Sequence, residues 1–368
     1  MMKKFLFLSA IAIVLIACKN KSEYTIHGNV NNDIFEGQKV YLEKWTDSIM
    51  LKVDSTTILN GEFTIKGNAE KLALRFITLG DQENRDRSMV LVEPGTINIT
   101  YDSIFHISGS TLNDEFTDFN LKQKELNTKI RSLSDQYNAA MVDETMTESL
   151  DAELTSAYEK VANDAKILNY KFIKDNIDNE LGQYLFMTSS EMFDADQQKE
   201  ILSMTNEEYK TKKNIKRIVD RLEASEAVAI GNDFVDFTMK NPEGEYVSLS
   251  DYVGKDKYVF IDFWASWCGP CRDEMPNVVN AYNKYKSKGL EVVGVSLDND
   301  YDKWIKGIED LNMTWPQMSD LKLWESSVVE LYAIQSIPHT VLLDKEGKII
   351  AKNLRGEMLD TKLEELMN

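Results

Sequence analysis

Tyr258-Val259-Phe260-Ile261-Asp262-Phe263-Trp264 is an apolar run broken by one carboxylate, and it leads through Ala265-Ser266 into Trp267-Cys268-Gly269-Pro270-Cys271-Arg272. A bounded run of this length, rich in aromatic and β-branched residues, predicts a strand buried on both faces. The residues after the cysteine pair, Asp273 to Lys286, predict a helix. Two cysteines three apart at such a strand-to-helix junction point to redox chemistry, or to half of a metal site. A zinc site would need two more ligands, yet His27, His106 and His339 lie in unrelated segments and there is no second cysteine pair.

The junction assigns different work to the two thiols. Cys268 stands where free N–H groups and the positive end of a helix dipole stabilise a thiolate, which makes it the nucleophile. Cys271, one turn inside the helix, is shielded and can attack a mixed disulfide from within, releasing the reduced client. Gly269 and Pro270 shape the turn between them, and the missing N–H of Pro270 costs nothing in a first helical turn. Asp262 sits six residues before Cys268 in apolar surroundings, where a carboxylate is costly. Desolvation should raise its pKa toward neutrality, so that it could accept the proton of Cys271 as that thiol attacks. The alternative is a solvent-facing acid on an edge strand.

Further along, Leu290 to Leu297 reads as a second buried strand and Tyr301 to Asp310 as a helix, which completes a βαβ unit. Thr340 to Leu343 and Lys348 to Ala351 form a hairpin about Lys345-Glu346-Gly347, and Leu359 to Met367 a closing helix. Ser336-Ile337-Pro338-His339-Thr340 places a proline just before a strand, where a cis bond would bring its loop against the dithiol. A trans proline that merely starts the strand is the other reading.

This order is that of a thioredoxin fold. Residues 232–368 resemble the thioredoxin domain of TlpA-like, membrane-anchored thiol:disulfide oxidoreductases, through Phe263 to Arg272, Glu274-Met275-Pro276 and Ile337-Pro338. The resemblance implies that Pro338 is a cis-proline, that Ile337 offers backbone hydrogen bonds to an extended client strand, and that Trp267 packs beside the dithiol. It also implies a reductase of particular envelope proteins, apocytochromes among them, fed by a membrane thiol electron donor. The sequence departs from the pattern at two positions. Gly294 stands where thioredoxins carry a lysine that pairs the buried acid, and His339 follows the proline where a threonine is common. As an imidazolium, His339 would stabilise the Cys268 thiolate and make the site more oxidising; otherwise it is an ordinary strand residue.

The chain begins with Lys3-Lys4 and the apolar run Phe5 to Ala17, shorter than the roughly 20 residues that a membrane-spanning helix needs. Leu15-Ile16-Ala17-Cys18 resembles a bacterial lipoprotein signal, which implies cleavage before Cys18, its acylation, and a short tether over 18–23 that holds the folded part at a membrane facing the periplasm. A net charge of −19 offers no basic surface to nucleic acid. From residue 24 to 110, short alternating runs separated by Asn60-Gly61, Gly67-Asn68 and Pro94-Gly95 predict a small antiparallel β-sandwich or barrel. It resembles the β domain that precedes thioredoxin modules in Bacteroidetes lipoproteins. Residues 111–229 hold no proline and a single glycine, Gly182, before the next domain. Apolar stripes such as Phe116-Phe119-Leu126-Ile130-Leu133-Tyr137 and Leu154-Tyr158-Val161-Leu168-Phe172 predict a helical connector, with the stripes serving as core, as a dimer surface or as a groove for a client.

The sequence therefore predicts an α/β thioredoxin fold over 230–368, preceded by a β domain and a helical connector, acting as a disulfide reductase through Cys268, Cys271 and Asp262. No bound cofactor or metal is expected. The alternatives are a thiol peroxidase of the AhpC/TSA type, a disulfide oxidase or isomerase, or a binding lipoprotein whose dithiol is incidental.

Overall fold

The computed structural model describes residues 22–46, 49–80 and 85–367. The leader 1–17 and Cys18 lie outside them, and among the described residues no helix is long and apolar enough to cross a membrane. The chain divides into two compact units, one up to Glu207 and one from Glu208.

The first unit begins with eight strands: β1 (Glu23–Val30), β2 (Lys39–Trp45), β3 (Met50–Thr57), β4 (Glu62–Asn68), β5 (Ala73–Leu79), β6 (Asp86–Val92), β7 (Gly95–Tyr101) and β8 (Phe105–Ser108). They form two four-stranded sheets, in the orders β4-β1-β7-β8 and β3-β2-β5-β6. Alternating residues of both sheets, among them Ile26, Leu42, Ile77, Val90 and Ile97, fill one shared core, which makes a sandwich. Every pairing is antiparallel except β1 with β7, which run parallel. Most of the chain between these two strands lies in the other sheet, so β7 returns to β1 without a hairpin to reverse it.

The outer faces of β5 and β6 are apolar as well. Leu74, Phe76 and Leu91 pack against Phe116 and Phe119 of α1 (Thr111–Val142) and Leu181. The apolar stripes thus serve as core at this end of the helices, with α2 (Glu148–Asn176) adding Phe172 to the Phe119 ring at a centroid distance of 4.2 Å. At the other end Tyr137 and Tyr158 are exposed and line a cleft of about 380 Å³ with Leu133 and Leu154. Three shorter helices follow: α3 (Glu180–Ser189), α4 (Ala195–Ser203) and α5 (Glu207–Lys210).

The last helix read as connector, α6 (Lys213–Ala227), belongs to the second unit. Beyond it come β9 (Thr238–Lys240), β10 (Tyr246–Ser248), β11 (Tyr258–Trp264), α7 (Gly269–Tyr285), β12 (Leu290–Ser296), α8 (Tyr301–Asp310), β13 (Gln317–Ser319), α9 (Ser327–Leu331), β14 (His339–Leu343), β15 (Ile349–Lys352) and α10 (Gly356–Met367). The seven strands make one sheet in the order β10-β9-β13-β12-β11-β14-β15. β11 lies inside it, parallel to β12 and antiparallel to β14. This is the thioredoxin arrangement, and β9 and β10 extend it at one edge.

Candidate redox site

Six residues of β11, Val259 to Trp264, are buried, and the chain turns after them into the next helix. Cys268 caps α7: its Sγ accepts the Cys271 N–H at 3.2 Å. Pro270 lies in the first helical turn, as the missing donor requires. The turn is pinned from beneath by Asp298, a residue with no role in the sequence reading. Its carboxylate accepts the Ser266 N–H at 3.0 Å and the Ser266 hydroxyl at 2.6 Å, with a third bond from the Ser296 hydroxyl at 2.7 Å.

Cys268 and Cys271 are joined by a disulfide. Cys268 is 5% exposed and Cys271 1%, so both are buried and the residue at the helix cap is the more accessible of the two. The Ile337–Pro338 peptide bond is cis, and the Ile337 carbonyl oxygen lies 3.6 Å from the Cys268 Sγ. Among the described residues the Ile337 N–H has no partner, which leaves a backbone donor beside the reactive sulfur. Trp267 and Trp324 are 48% and 44% exposed, with ring centroids 6.4 Å apart. Trp324 comes from the loop before α9, and nothing near it in the sequence marks it as part of the site.

Asp262 faces Gly294 on β12 and Thr340 on β14. The edge-strand reading of this acid is therefore replaced by a buried one. Burial pushes its pKa up to about 7; the Glu274 carboxylate adds to the rise and the Arg355 guanidinium opposes it. Its Oδ2 is buried without a hydrogen bond, a costly state for a carboxyl. A Cβ at Gly294 would come within 2.2 Å of the Gln317 Oε1, so a side chain there would require Gln317 to move. That oxygen is engaged by the Trp264 indole N–H at 3.1 Å.

The structure corrects the imidazolium reading of His339. Its ring lies 5.8 Å from that of Phe263 and its Nε2 is buried without a partner. Burial, reinforced by Lys352 and Arg355, lowers its pKa to about 4. A neutral imidazole at pH 7 brings no positive charge to the Cys268 thiolate.

A family model described as the AhpC/TSA family matches residues 230–352, and a second, described as a domain of unknown function (DUF4369), matches residues 24–116. The thiol-disulfide oxidoreductase ResA of Bacillus subtilis is 30% identical over 143 residues, which is 39% of this chain and 76% of the relative. ResA of Geobacillus thermodenitrificans is 35% identical over 132 residues, 36% of this chain and 72% of the relative. The chain belongs to the AhpC/TSA family of thioredoxin-like thiol-disulfide oxidoreductases. The crystal structure of the thioredoxin domain of a thiol-disulfide oxidoreductase from Bacteroides vulgatus is 40% identical to this family member, covering 38% of this chain and 99% of that one with a TM-score of 0.36.

Two outcomes follow from the charges around the dithiol. Because the Asp262 pKa rises from 3.8 to about 7 on folding, the folded state holds a proton that the unfolded chain loses. Stability therefore falls as pH rises through that window, by about 4 kcal/mol in all. Asp262→Asn removes the loss, so the oxidised variant should gain on wild type between pH 4 and pH 8 in denaturant unfolding; a constant difference would contradict the assignment. His339→Thr should leave the Cys268 thiol titration, followed by thiolate absorbance in the reduced protein, where it is in wild type.

Proposed function

We propose that this thiol-disulfide oxidoreductase works as a reductase of disulfides in envelope proteins, held at a membrane through a lipid on Cys18 and facing the periplasm. The observation that carries the reductase reading is the asymmetry of the dithiol. Cys268 lies at the helix cap against the cis-proline loop, beside a free Ile337 N–H, whereas Cys271 is enclosed. An extended client segment can pair with Ile337 while Trp267 and Trp324 offer aromatic faces beside it.

The reduced Cys268 thiolate attacks one sulfur of a client disulfide, forming a Cys268–client bond and releasing the other client sulfur as a thiolate. Cys271 then gives its proton to the Asp262 carboxylate. Its thiolate attacks Cys268, closing the Cys268–Cys271 disulfide and freeing the second client sulfur as a thiolate, which takes a proton from solvent. Two electrons pass to the client, and a membrane thiol donor returns them. Trp267 directly before Cys268, with a resolving thiol one turn away, favours exchange with protein disulfides over a shielded peroxidatic cysteine. The leader and Cys18 sequence support the anchor.

With insulin as a model client, Cys268→Ser should abolish reduction, and Cys271→Ser should stop after one turnover with insulin trapped on Cys268. Trapping on residue 271 in the Cys268→Ser variant would overturn the order of attack. In cells, Cys18→Ala should move the protein from the membrane pellet to the soluble envelope fraction, and a protein that stays in the pellet would contradict the anchor.

A further inference from the structure

Gly294 leaves Asp262 without the lysine of other thioredoxins, yet one cation does reach the site. Arg355 sits in the loop between β15 and α10, and its guanidinium donates a hydrogen bond to the Pro338 carbonyl. That loop is stitched to the site at three further points. The Asn353 N–H donates to the Thr340 carbonyl at 2.8 Å, the Thr340 hydroxyl to the Leu354 carbonyl at 3.1 Å, and the Gly356 N–H to the Glu274 Oε1 at 2.7 Å. Thr340 is the residue opposite Asp262 across the β11–β14 pair.

We propose that Arg355 is a positioning residue of the redox site, holding the cis-proline loop against Cys268 by its bond to Pro338 and supplying the positive charge to Asp262 that Gly294 cannot. The proposal rests on the Cys268/Cys271 exchange reading. The charges acting on Asp262 are few: Glu274 of α7, which raises its pKa, and Arg355, which lowers it. Its neighbours across the sheet, Gly294 of β12 and Thr340 of β14, are uncharged, and His339 is held neutral by burial with Lys352 and Arg355 nearby. A guanidinium can bond a carbonyl through one N–H while its positive charge acts on a nearby carboxylate, and a lysine ammonium at the same position keeps that charge. Without that charge Asp262 binds its proton more tightly and is less often ionised to receive the proton of Cys271. Below its midpoint each unit of rise lowers the ionised fraction about tenfold.

The full chain is compared with Arg355→Met and Arg355→Lys by two measurements. The Asp262 carboxyl is titrated by carbon NMR in the oxidised protein, and the release of glutathione from a preformed Cys268–glutathione mixed disulfide is timed from pH 5 to 9. Arg355→Met should move both the titration and the acid limb of the release profile to higher pH, while Arg355→Lys should restore most of the titration. Coincident wild-type and Arg355→Met titrations would overturn the proposal, as would an Arg355→Lys titration displaced as far as that of Arg355→Met. Should Arg355→Met not fold, the Arg355→Lys comparison with wild type still decides: a large displacement overturns the charge role. Failure of wild type to release glutathione at any pH would instead count against the exchange reading, which the NMR titration does not depend on.

Discussion

The site depends on a chain that must leave a buried central strand and enter a helix within four residues. β11 ends at Trp264, α7 begins at Gly269, and Cys268 is the cap between them. The cap is a sulfur and not the usual hydroxyl or carboxylate, so the group that satisfies the first turn of the helix is also the one that reacts. Ser266 is tied to Asp298 by its N–H and its hydroxyl, which fixes the turn before the sulfur is presented. Bonds of this kind to a carboxylate are worth more than neutral ones, about 1.5–3 kcal/mol each. The position of Cys268 is thus set by backbone geometry and by a buried acid from the end of the next strand.

The second constraint is electrical. Asp262 is placed in the middle of the sheet with an unbonded oxygen, and its environment is balanced by Glu274 on one side and Arg355 on the other. His339, which follows the cis-proline on β14, is held neutral by burial. The result is a site in which Cys268 caps a helix N-terminus and a buried carboxyl nearby titrates near neutrality.

Much of the site was legible because its signal is local. The apolar run 258–264, its lone carboxylate and the cysteine pair predict a strand, a buried acid and a capped helix without any long-range information, and Pro338 marks the loop opposite. What the sequence hid is held by distant contacts. Asp298 meets Ser266 from 32 residues away, Arg355 reaches Pro338 from a loop with no motif, and Trp324 joins Trp267 only in space. His339 was open between two states because its charge depends on burial, which periodicity does not report. In the first unit the strands with clean alternation were readable. β3 was not: it is an edge strand with no buried residue, so no buried apolar face announces it. The parallel β1–β7 pair was hidden too, since turn dipeptides describe only neighbours in sequence.

The account turns on the direction in which this dithiol moves electrons. Disulfide exchange on this fold spans oxidants near about −120 mV and reductants near about −270 mV. The test is the reduction potential of Cys268/Cys271 in a soluble form beginning after Cys18, equilibrated against thiol redox buffers and read by alkylation. A reductase with a neutral His339 predicts a value near the reducing end. A value near the oxidising end would contradict the reductase reading and make the protein a donor of disulfides.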